Sequence, residues 1–156
     1  MTSIYKYGSQ EQGGKAQLKD LDASYKDLSQ LCRAIRRQPL LKAKKILNGV
    51  IELKQPIQYY KFKKGMGHRS QLKGQPGRWP KKEAKMLLTA VNNAEANAKS
   101  QGLEVAKLVV KAAIAYKQNT MKRHRKYWVT GTVLGYGKQA IWANYVTARL
   151  EVVLGV

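Results

Sequence analysis

Side chains that could take part in catalysis are few and scattered in this sequence. The only histidines are His68 and His124, and each lies within a basic run rather than beside a carboxylate. We interpret both as donors to an anionic partner and not as general bases. Cys32 is the only cysteine, and the spacing of these three residues fits no zinc site. We therefore predict no catalytic residues, no bound metal and no cofactor.

The remaining chemical signals are also weak. Asp20 and Asp22 share one face of a predicted strand, but neighbouring lysines favour a solvated surface pair over a catalytic dyad. The short motifs "GMG" and "GYGK" lack the full pattern and the strand–helix context of a phosphate-binding loop. Cys32 falls on the apolar stripe of a predicted helix, where it is expected to be a core residue. These observations predict that the chain is not an enzyme.

Charge is the most unusual property of the composition. Lys and Arg number 30 against 9 Asp and Glu, which gives a formal charge of +21. Nucleic acid is the favoured partner, since binding a polyanion relieves the self-repulsion and releases counterions. An anionic membrane surface is the alternative. The sequence contains no run of about 18 apolar residues, so no membrane span is predicted. It also contains no apolar run near its N-terminus that would predict a secretory signal.

Basic residues and aromatic rings occur together in the blocks "YYKFKKGMGHR", "GRWPKK" and "KRHRKYW". Two stretches contain no acidic residue, one between Glu52 and Glu83 and the other between Glu104 and Glu151. The cations are expected to contact phosphates, and the rings to stack on bases. The rings in question are Tyr59, Tyr60, Trp79, Tyr127 and Trp128. No DNA-reading module is present, so the pattern indicates recognition of the shape and backbone of folded RNA.

Hydrophobic periodicity predicts the elements that position these blocks. Residues 15–22 are typical of one edge strand. Three helices follow, each with apolar residues at helical spacing. The first is preceded by Ser24 as N-cap, the second begins at Pro39, and the third runs from Pro80 to a C-cap at Gly102. Their apolar stripes are Leu28, Leu31, Cys32 and Ile35; Ala43, Ile46, Leu47 and Val50; and Ala84, Leu87, Leu88, Val91, Ala94 and Ala98.

Two later segments alternate with a period of two, which predicts half-buried strands. In the first segment, the residues on the face predicted to be buried occupy every second position: Leu108, Val110, Ala112, Ile114 and Tyr116. In the second segment they are Val146, Ala148, Leu150, Val152 and Leu154. Between them, residues 117–145 are expected to form a long protruding β-hairpin. Residues 57–79, rich in glycine and proline, are interpreted as a loop held by its ligand.

The first 14 residues are polar and glycine-rich. They predict a flexible N-terminal tail, with an arm that orders on RNA as the open alternative.

The segment "GRWPKKEAKMLLTAVNNAEANAKSQGL" resembles the signature region of a universal large-subunit ribosomal protein family, numbered twenty-two in bacteria and seventeen in eukaryotes. The order of elements is also similar, beginning with "CRAIRRQPLLKAKKIL" for the first two helices. The loop containing "YYKFKKGMGHR" resembles the archaeal and eukaryotic branch. The resemblance covers about residues 15–154.

This resemblance implies an α+β fold, with three helices packed on a small three-stranded antiparallel sheet and a long extended β-hairpin. Residues 15–154 would form a single rRNA-binding domain, with 117–145 as its hairpin. The implied function is structural: the chain would bind rRNA near the polypeptide exit tunnel, with the hairpin lining the tunnel, and so support subunit assembly and translation. The implied location is the large ribosomal subunit in the cytoplasm. The implied partners are large-subunit rRNA, neighbouring ribosomal proteins and the nascent polypeptide, with no membrane and no homo-oligomer.

Two sets of residues are expected to carry this function. The rRNA-binding set is Lys61, Lys63, Lys64, His68, Arg69, Arg78, Trp79, Lys81, Lys82, Lys117, Lys122, Arg123, His124, Arg125 and Lys126. The set at the tunnel tip is Tyr127, Trp128, Val129, Thr130, Gly131 and Thr132. At the tip the sequence departs from the family, since "WVTGT" keeps the glycine of an R-A-x-G-R-like tip but lacks its flanking arginines.

Two other functions are compatible with the charge. A free-standing basic chaperone for RNA or DNA would use the same cations without entering the ribosome. An RNA-modifying enzyme would need a catalytic set that the sequence lacks. Sedimentation separates the first alternative from a ribosomal protein, because only the ribosomal protein would travel with large subunits.

Overall fold

The computed structural model describes residues 7–121 and 145–156, and apolar periodicity explains its main elements. The three helices of the described part are α1 (Tyr25–Ile35), α2 (Leu40–Ile51) and α3 (Lys81–Ser100). The larger sheet consists of β1 (Gly14–Leu21), β5 (Val109–Met121) and β6 (Tyr145–Gly155). A smaller sheet consists of β2 (Ile57–Gln58), β3 (His68–Arg69) and β4 (Gln75–Arg78).

Local capping explains where the helices begin and end. The Asp27 amide donates to Ser24 Oγ at 3.3 Å, which confirms Ser24 as the N-cap of α1. Pro39 and Pro80 are the N-cap residues of α2 and α3, one position earlier than the first helical position predicted for Pro39. Just beyond α3, Gly102 has φ +76°, a conformation that glycine adopts without steric cost. This confirms the predicted glycine stop.

The larger sheet is antiparallel with the strand order β1–β6–β5, so β1 is an edge strand as predicted. Helices pack on one face, where Leu150, Val152 and Leu154 of β6 are buried in the core. The predicted fold class is thereby confirmed. Pairing of β5 with β6 extends to Met121 and Tyr145, while the rest of the predicted hairpin, residues 122–144, lies outside the described residues.

The burial pattern of β5 differs from the single alternation predicted. The register shifts between Val110 and Ala112, so two residues of β5 stand where a regular ladder would have one. After this bulge, Ala113 and the partly buried Ala115 pack against the core, whereas Ile114 and Tyr116 lie on the far face opposite Glu151 and Arg149 and are only partly buried. The expectation of a buried face carrying Ile114 and Tyr116 is therefore wrong.

The linker between α1 and α2 covers the outer edge of β5 at its start. The Arg37 amide donates to the Val110 carbonyl at 2.8 Å, and the Val110 amide donates to the Gln38 carbonyl at 3.0 Å. Arg36 adds a side-chain bond from Nη2 to the Ala113 carbonyl at 2.7 Å. Because these groups satisfy an otherwise unpaired strand edge, the linker also protects it from pairing with other chains.

The smaller sheet corrects the prediction that residues 57–79 are a loop held by its ligand. The strands pair in the order β2–β4–β3, and a short 3₁₀ helix, Ser70–Leu72, connects β3 to β4. Gly77 of β4 has no room for a side chain, since a β-carbon there would lie 2.7 Å from the Ile57 carbonyl oxygen. The strands escaped prediction because two to four residues are too short to show periodicity.

The far face of the larger sheet buries a carboxylate. Glu151 is 1% exposed. It accepts hydrogen bonds from the Gly8 amide at 2.9 Å and Gln17 Nε2 at 2.7 Å, and pairs with Arg149 at 3.3 Å. Part of the predicted N-terminal tail therefore contacts the sheet at Gly8, while residues 1–6 lie outside the described residues. A carboxylate buried in this way requires such partners.

Candidate nucleic-acid interface

Most of the predicted rRNA-binding residues of the body lie on or beside the smaller sheet. The exposed lysines Lys61, Lys63 and Lys64 follow β2, and Arg78 ends β4. Lys81 is exposed at the start of α3. The fold thus gathers these cations around one small element, whereas Lys117 lies exposed on β5 of the larger sheet.

Trp79 is partly buried and packs against the core, with the Arg69 guanidinium 4.8 Å from its ring centroid. Arg69 Nε also donates to the Gly77 carbonyl at 3.0 Å. The guanidinium is therefore oriented by a cation–π contact and a hydrogen bond within the protein. Trp79 positions a cation in this arrangement, in addition to any direct contact with RNA.

Tyr59 is not available for base stacking, which corrects one expectation. Its side chain is buried, and its hydroxyl donates to Asp27 Oδ1 at 2.7 Å. Burial, followed by the bond to Asp27, raises the pKa of Tyr59 far above its ordinary value. Its neighbour Tyr60 is 49% exposed and is the ring of this pair that solvent can reach.

Two residues predicted to contact rRNA, His68 and Lys82, bind partners within the protein. His68 Nδ1 lies within hydrogen-bond distance of the Gly74 carbonyl, so the exposed ring bridges the turn between β3 and β4. Lys82 pairs with Asp22 at 2.7 Å. This bond lowers the pKa of Asp22 and raises the pKa of Lys82. Lys82 must exchange or share this partner to contact a phosphate.

Two further cations, which the sequence did not predict, lie beside the segment after β2. Arg33 lies over the Tyr60 ring at 4.0 Å from its centroid, and Lys26 lies 5.5 Å from the centroid of Phe62. Both cations belong to α1, on positions that helical spacing places opposite the buried stripe. That spacing was visible in the sequence, but the pairing with aromatic residues about 30 positions later was not.

The second half of the predicted site lies outside the described residues and stays a prediction. It comprises the basic residues of the hairpin and the tip: Lys122, Arg123, His124, Arg125, Lys126, Tyr127, Trp128, Val129, Thr130, Gly131 and Thr132.

The described ranges show neither a metal site nor a membrane-spanning helix. Residues 7–121 and 145–156 contain no group of three or more His, Cys, Asp or Glu side chains that could hold a metal ion. Within those same ranges, no helix is long and apolar enough to cross a bilayer. Cys32 is buried in α1, and its burial raises the pKa of the thiol to about 12, which confirms it as a core residue.

Comparison with known proteins identifies the family. The family described as Ribosomal protein L22p/L17e matches residues 16–132. The large ribosomal subunit protein uL22 of Sulfolobus acidocaldarius is 34% identical over 145 residues, covering 90% of this chain and 88% of the relative. The uL22 protein of Archaeoglobus fulgidus is 37% identical, covering 77% of this chain and 78% of the relative. The uL22 protein of Zea mays is 35% identical, covering 83% of this chain and 77% of the relative.

Both the extent of the family match and the coverage of these relatives exceed what a shared motif would give. The match takes in most of β1, the three helices α1 to α3, the smaller sheet and β5. The chain belongs to the ribosomal protein L22p/L17e family.

Proposed function

We propose that the protein is a structural constituent of the large ribosomal subunit that binds rRNA through its basic surface. The observation that carries the proposal is the family match over residues 16–132, with relatives named as large-subunit proteins. The mechanism is electrostatic and steric. Lys and Arg side chains neutralise phosphates where rRNA segments approach one another, and the folded body fixes their distance.

The charge distribution supports RNA as the partner. The chain carries +21 formal charges, and a free monomer with this charge repels itself. Cations around the smaller sheet are exposed, and the stretch from Leu53 to Lys82 contains no acidic residue. Each phosphate neutralised there releases condensed counterions, which favours binding at moderate salt.

The smaller sheet presents these cations on a fixed support. Tyr59 is anchored to Asp27, and the side-chain carbonyl of the buried Gln30 accepts from the Tyr60 amide at 3.1 Å. Both anchors belong to α1. Preorganised cations lose less conformational entropy on binding than cations on an unstructured loop, so this arrangement favours a defined rRNA contact.

The finer proposal concerns the exit tunnel. Residues 117–145 extend from the body as a β-hairpin along rRNA, and residues 127–132 line the tunnel beside the nascent polypeptide. It rests on the family resemblance and on the basic composition of residues 122–126. The partners are large-subunit rRNA, neighbouring ribosomal proteins and the nascent chain, and the location is the cytoplasmic large subunit.

Sedimentation of a cell lysate tests the proposal. The tagged chain is expected in large-subunit and ribosome fractions of a sucrose gradient, and to shift to the top after nuclease digestion. Recovery only in light fractions, with or without nuclease, would refute the ribosomal assignment. Recovery in light RNA-containing complexes would favour the free-standing chaperone instead.

A further inference from the structure

Two exposed aromatic rings from the segment after β2 lie against cations on the outer surface of α1. Binding of phosphates by cations does not by itself require exposed rings. Tyr60 is 49% exposed and Phe62 is 45% exposed, although the buried Tyr59 directly precedes Tyr60. Exposed large apolar rings in a soluble domain indicate a binding surface when they are grouped. Here they are grouped by contacts with α1.

Each ring lies against a cation of α1. The Arg33 guanidinium is 4.0 Å from the Tyr60 ring centroid, and Lys26 Nζ is 5.5 Å from that of Phe62. Phe62 also packs edge-on against Tyr25, with centroids 6.1 Å apart and an interplanar angle of 77°. We name Tyr25, Lys26, Arg33, Tyr60 and Phe62 the α1 aromatic surface.

The backbone holds this arrangement in place. The Tyr60 amide donates to Gln30 Oε1 at 3.1 Å, so its position is fixed by a buried side chain of α1. Phe62 has φ +58°, a left-handed conformation that is uncommon for a residue with a β-carbon. The left-handed backbone conformation of Phe62 costs free energy, and an exposed ring returns little stability to the fold. This combination favours a role in binding.

The charge around the rings identifies the occupant. Lys61, Lys63 and Lys64 are exposed on the same short segment as Tyr60 and Phe62. Rings interleaved with cations are the arrangement that binds unpaired nucleotides, because bases stack on the rings while cations contact the backbone phosphates. A duplex would offer its phosphates but not its base faces. We propose that the α1 aromatic surface stacks unpaired bases of rRNA.

This inference rests on the proposed function, and binding by the purified full-length chain tests it separately. The probes are a single-stranded oligoadenylate and an abasic strand with the same number of phosphates. The chain is expected to bind the oligoadenylate about fivefold to a hundredfold more tightly than the abasic strand for each base stacked. The variant Tyr60→Leu with Phe62→Leu should lose most of this preference and keep the affinity for the abasic strand.

A control variant and a crosslink locate the effect. Leu41→Ser removes another exposed apolar side chain, 74% exposed on α2, and should leave the preference unchanged. Photocrosslinking of a 4-thiouridine strand should label a peptide spanning residues 57–64. The inference is wrong if the double leucine variant keeps the full preference, or if the label falls only elsewhere.

Large-subunit recovery distinguishes the two proposals. If the wild-type chain sediments with large subunits but shows no preference for bases, the stacking inference fails and the ribosomal assignment stands. If, in isolated subunits, the segment 57–64 crosslinks to another protein and not to RNA, a protein occupies the surface and the inference is overturned. If the chain does not sediment with large subunits, the ribosomal assignment fails, whatever the oligonucleotides show.

Discussion

The hydroxyl of Tyr59 donates a 2.7 Å hydrogen bond to the carboxylate of Asp27 and so joins the smaller sheet to α1. Tyr59 follows β2, and Asp27 lies in the first turn of α1. The bond crosses from the segment that carries the basic residues to the helix that supports it. The bond therefore contributes to the stability of the fold and also holds the candidate RNA-binding segment against α1.

Tyr59→Phe should destabilise the protein, because it removes the donor and leaves the partly buried Asp27 carboxylate without it. A hydrogen bond to a charged group is worth about 1.5–3 kcal/mol, and the free energy of unfolding should fall by roughly this amount. Urea denaturation followed by circular dichroism measures it. The matched control is Tyr60→Phe, which removes an exposed hydroxyl and should change stability by less than about 0.5 kcal/mol. Equal effects of the two variants would contradict the anchoring role.

Glu151→Ala should release the N-terminal segment from the far face of the larger sheet. The substitution removes the acceptor of the Gly8 amide and of Gln17 Nε2. Leaving buried donors unpaired costs about 1–3 kcal/mol. Hydrogen exchange of the Gly8 amide should accelerate, whereas Glu151→Gln, which keeps one acceptor oxygen, should show a smaller effect. Unchanged exchange at Gly8 in the alanine variant would show that Glu151 does not hold this segment.

Glu95→Gln should remove part of the acid sensitivity of the fold. Hydrogen bonds from Lys44 and Lys99 lower the pKa of Glu95 below its ordinary value of 4.5. A carboxylate with a lowered pKa stabilises the native state above the unfolded pKa, and this contribution is lost as pH falls through the folded pKa. The stability difference between wild type and variant should therefore be largest near about pH 6 and shrink toward about pH 3.

Thermal unfolding at several pH values measures this difference, with Glu104→Gln as the control. Glu104 pairs with Lys107 on the surface, where both side chains are well exposed, and such pairs contribute little. The explanation through Lys44 and Lys99 would be untenable if the difference for Glu95→Gln stayed constant across this pH range.

Replacing Lys63 and Lys64 with glutamine should weaken RNA binding in a salt-dependent way. Each phosphate contact contributes about 0.7 to 0.9 to the slope of log affinity against log salt concentration. If both lysines contact phosphates, the slope should fall by roughly 1.4 to 1.8. Filter binding of an rRNA fragment across a salt series measures the slope. Lys99→Gln is the control, because Lys99 is paired with Glu95 within α3. An unchanged slope in the double variant would show that these two lysines do not contact phosphates.

The sequence predicts the elements that have regular periodicity. The stripe Leu28, Leu31, Cys32 and Ile35 is buried as expected, and so are Ala148, Leu150, Val152 and Leu154 of β6. The half-buried pattern predicted for β6 is wrong, because Thr147, Glu151 and Val153 on its other face are buried as well, whereas Val146 is only partly buried. Local signals with a clear mechanism were also confirmed, including the cap at Ser24 and the glycine stop at Gly102. In these cases the information lies within a few residues of the element that it specifies.

The misses depend on contacts between distant residues. The bulge near Val110 changes which residues of β5 face the helices, and no single residue type predicts it. Tyr59 and Tyr60 are chemically identical neighbours, and only the fold decides that Tyr59 meets Asp27 while Tyr60 faces solvent. The same reason hid the contacts of Lys26 and Arg33 with rings beyond β2. Residue types predicted an RNA-binding surface, but only the tertiary structure assigns its members.

The most direct test of rRNA binding around the smaller sheet is crosslinking within purified large subunits. Ultraviolet irradiation of subunits that contain the chain, followed by mass spectrometry of peptide–nucleotide adducts, reports which residues touch RNA. We expect adducts with large-subunit rRNA on peptides from residues 57–82, around the smaller sheet. Failure to find the chain in the subunits, or adducts that avoid this segment while other ribosomal proteins yield theirs, would contradict it.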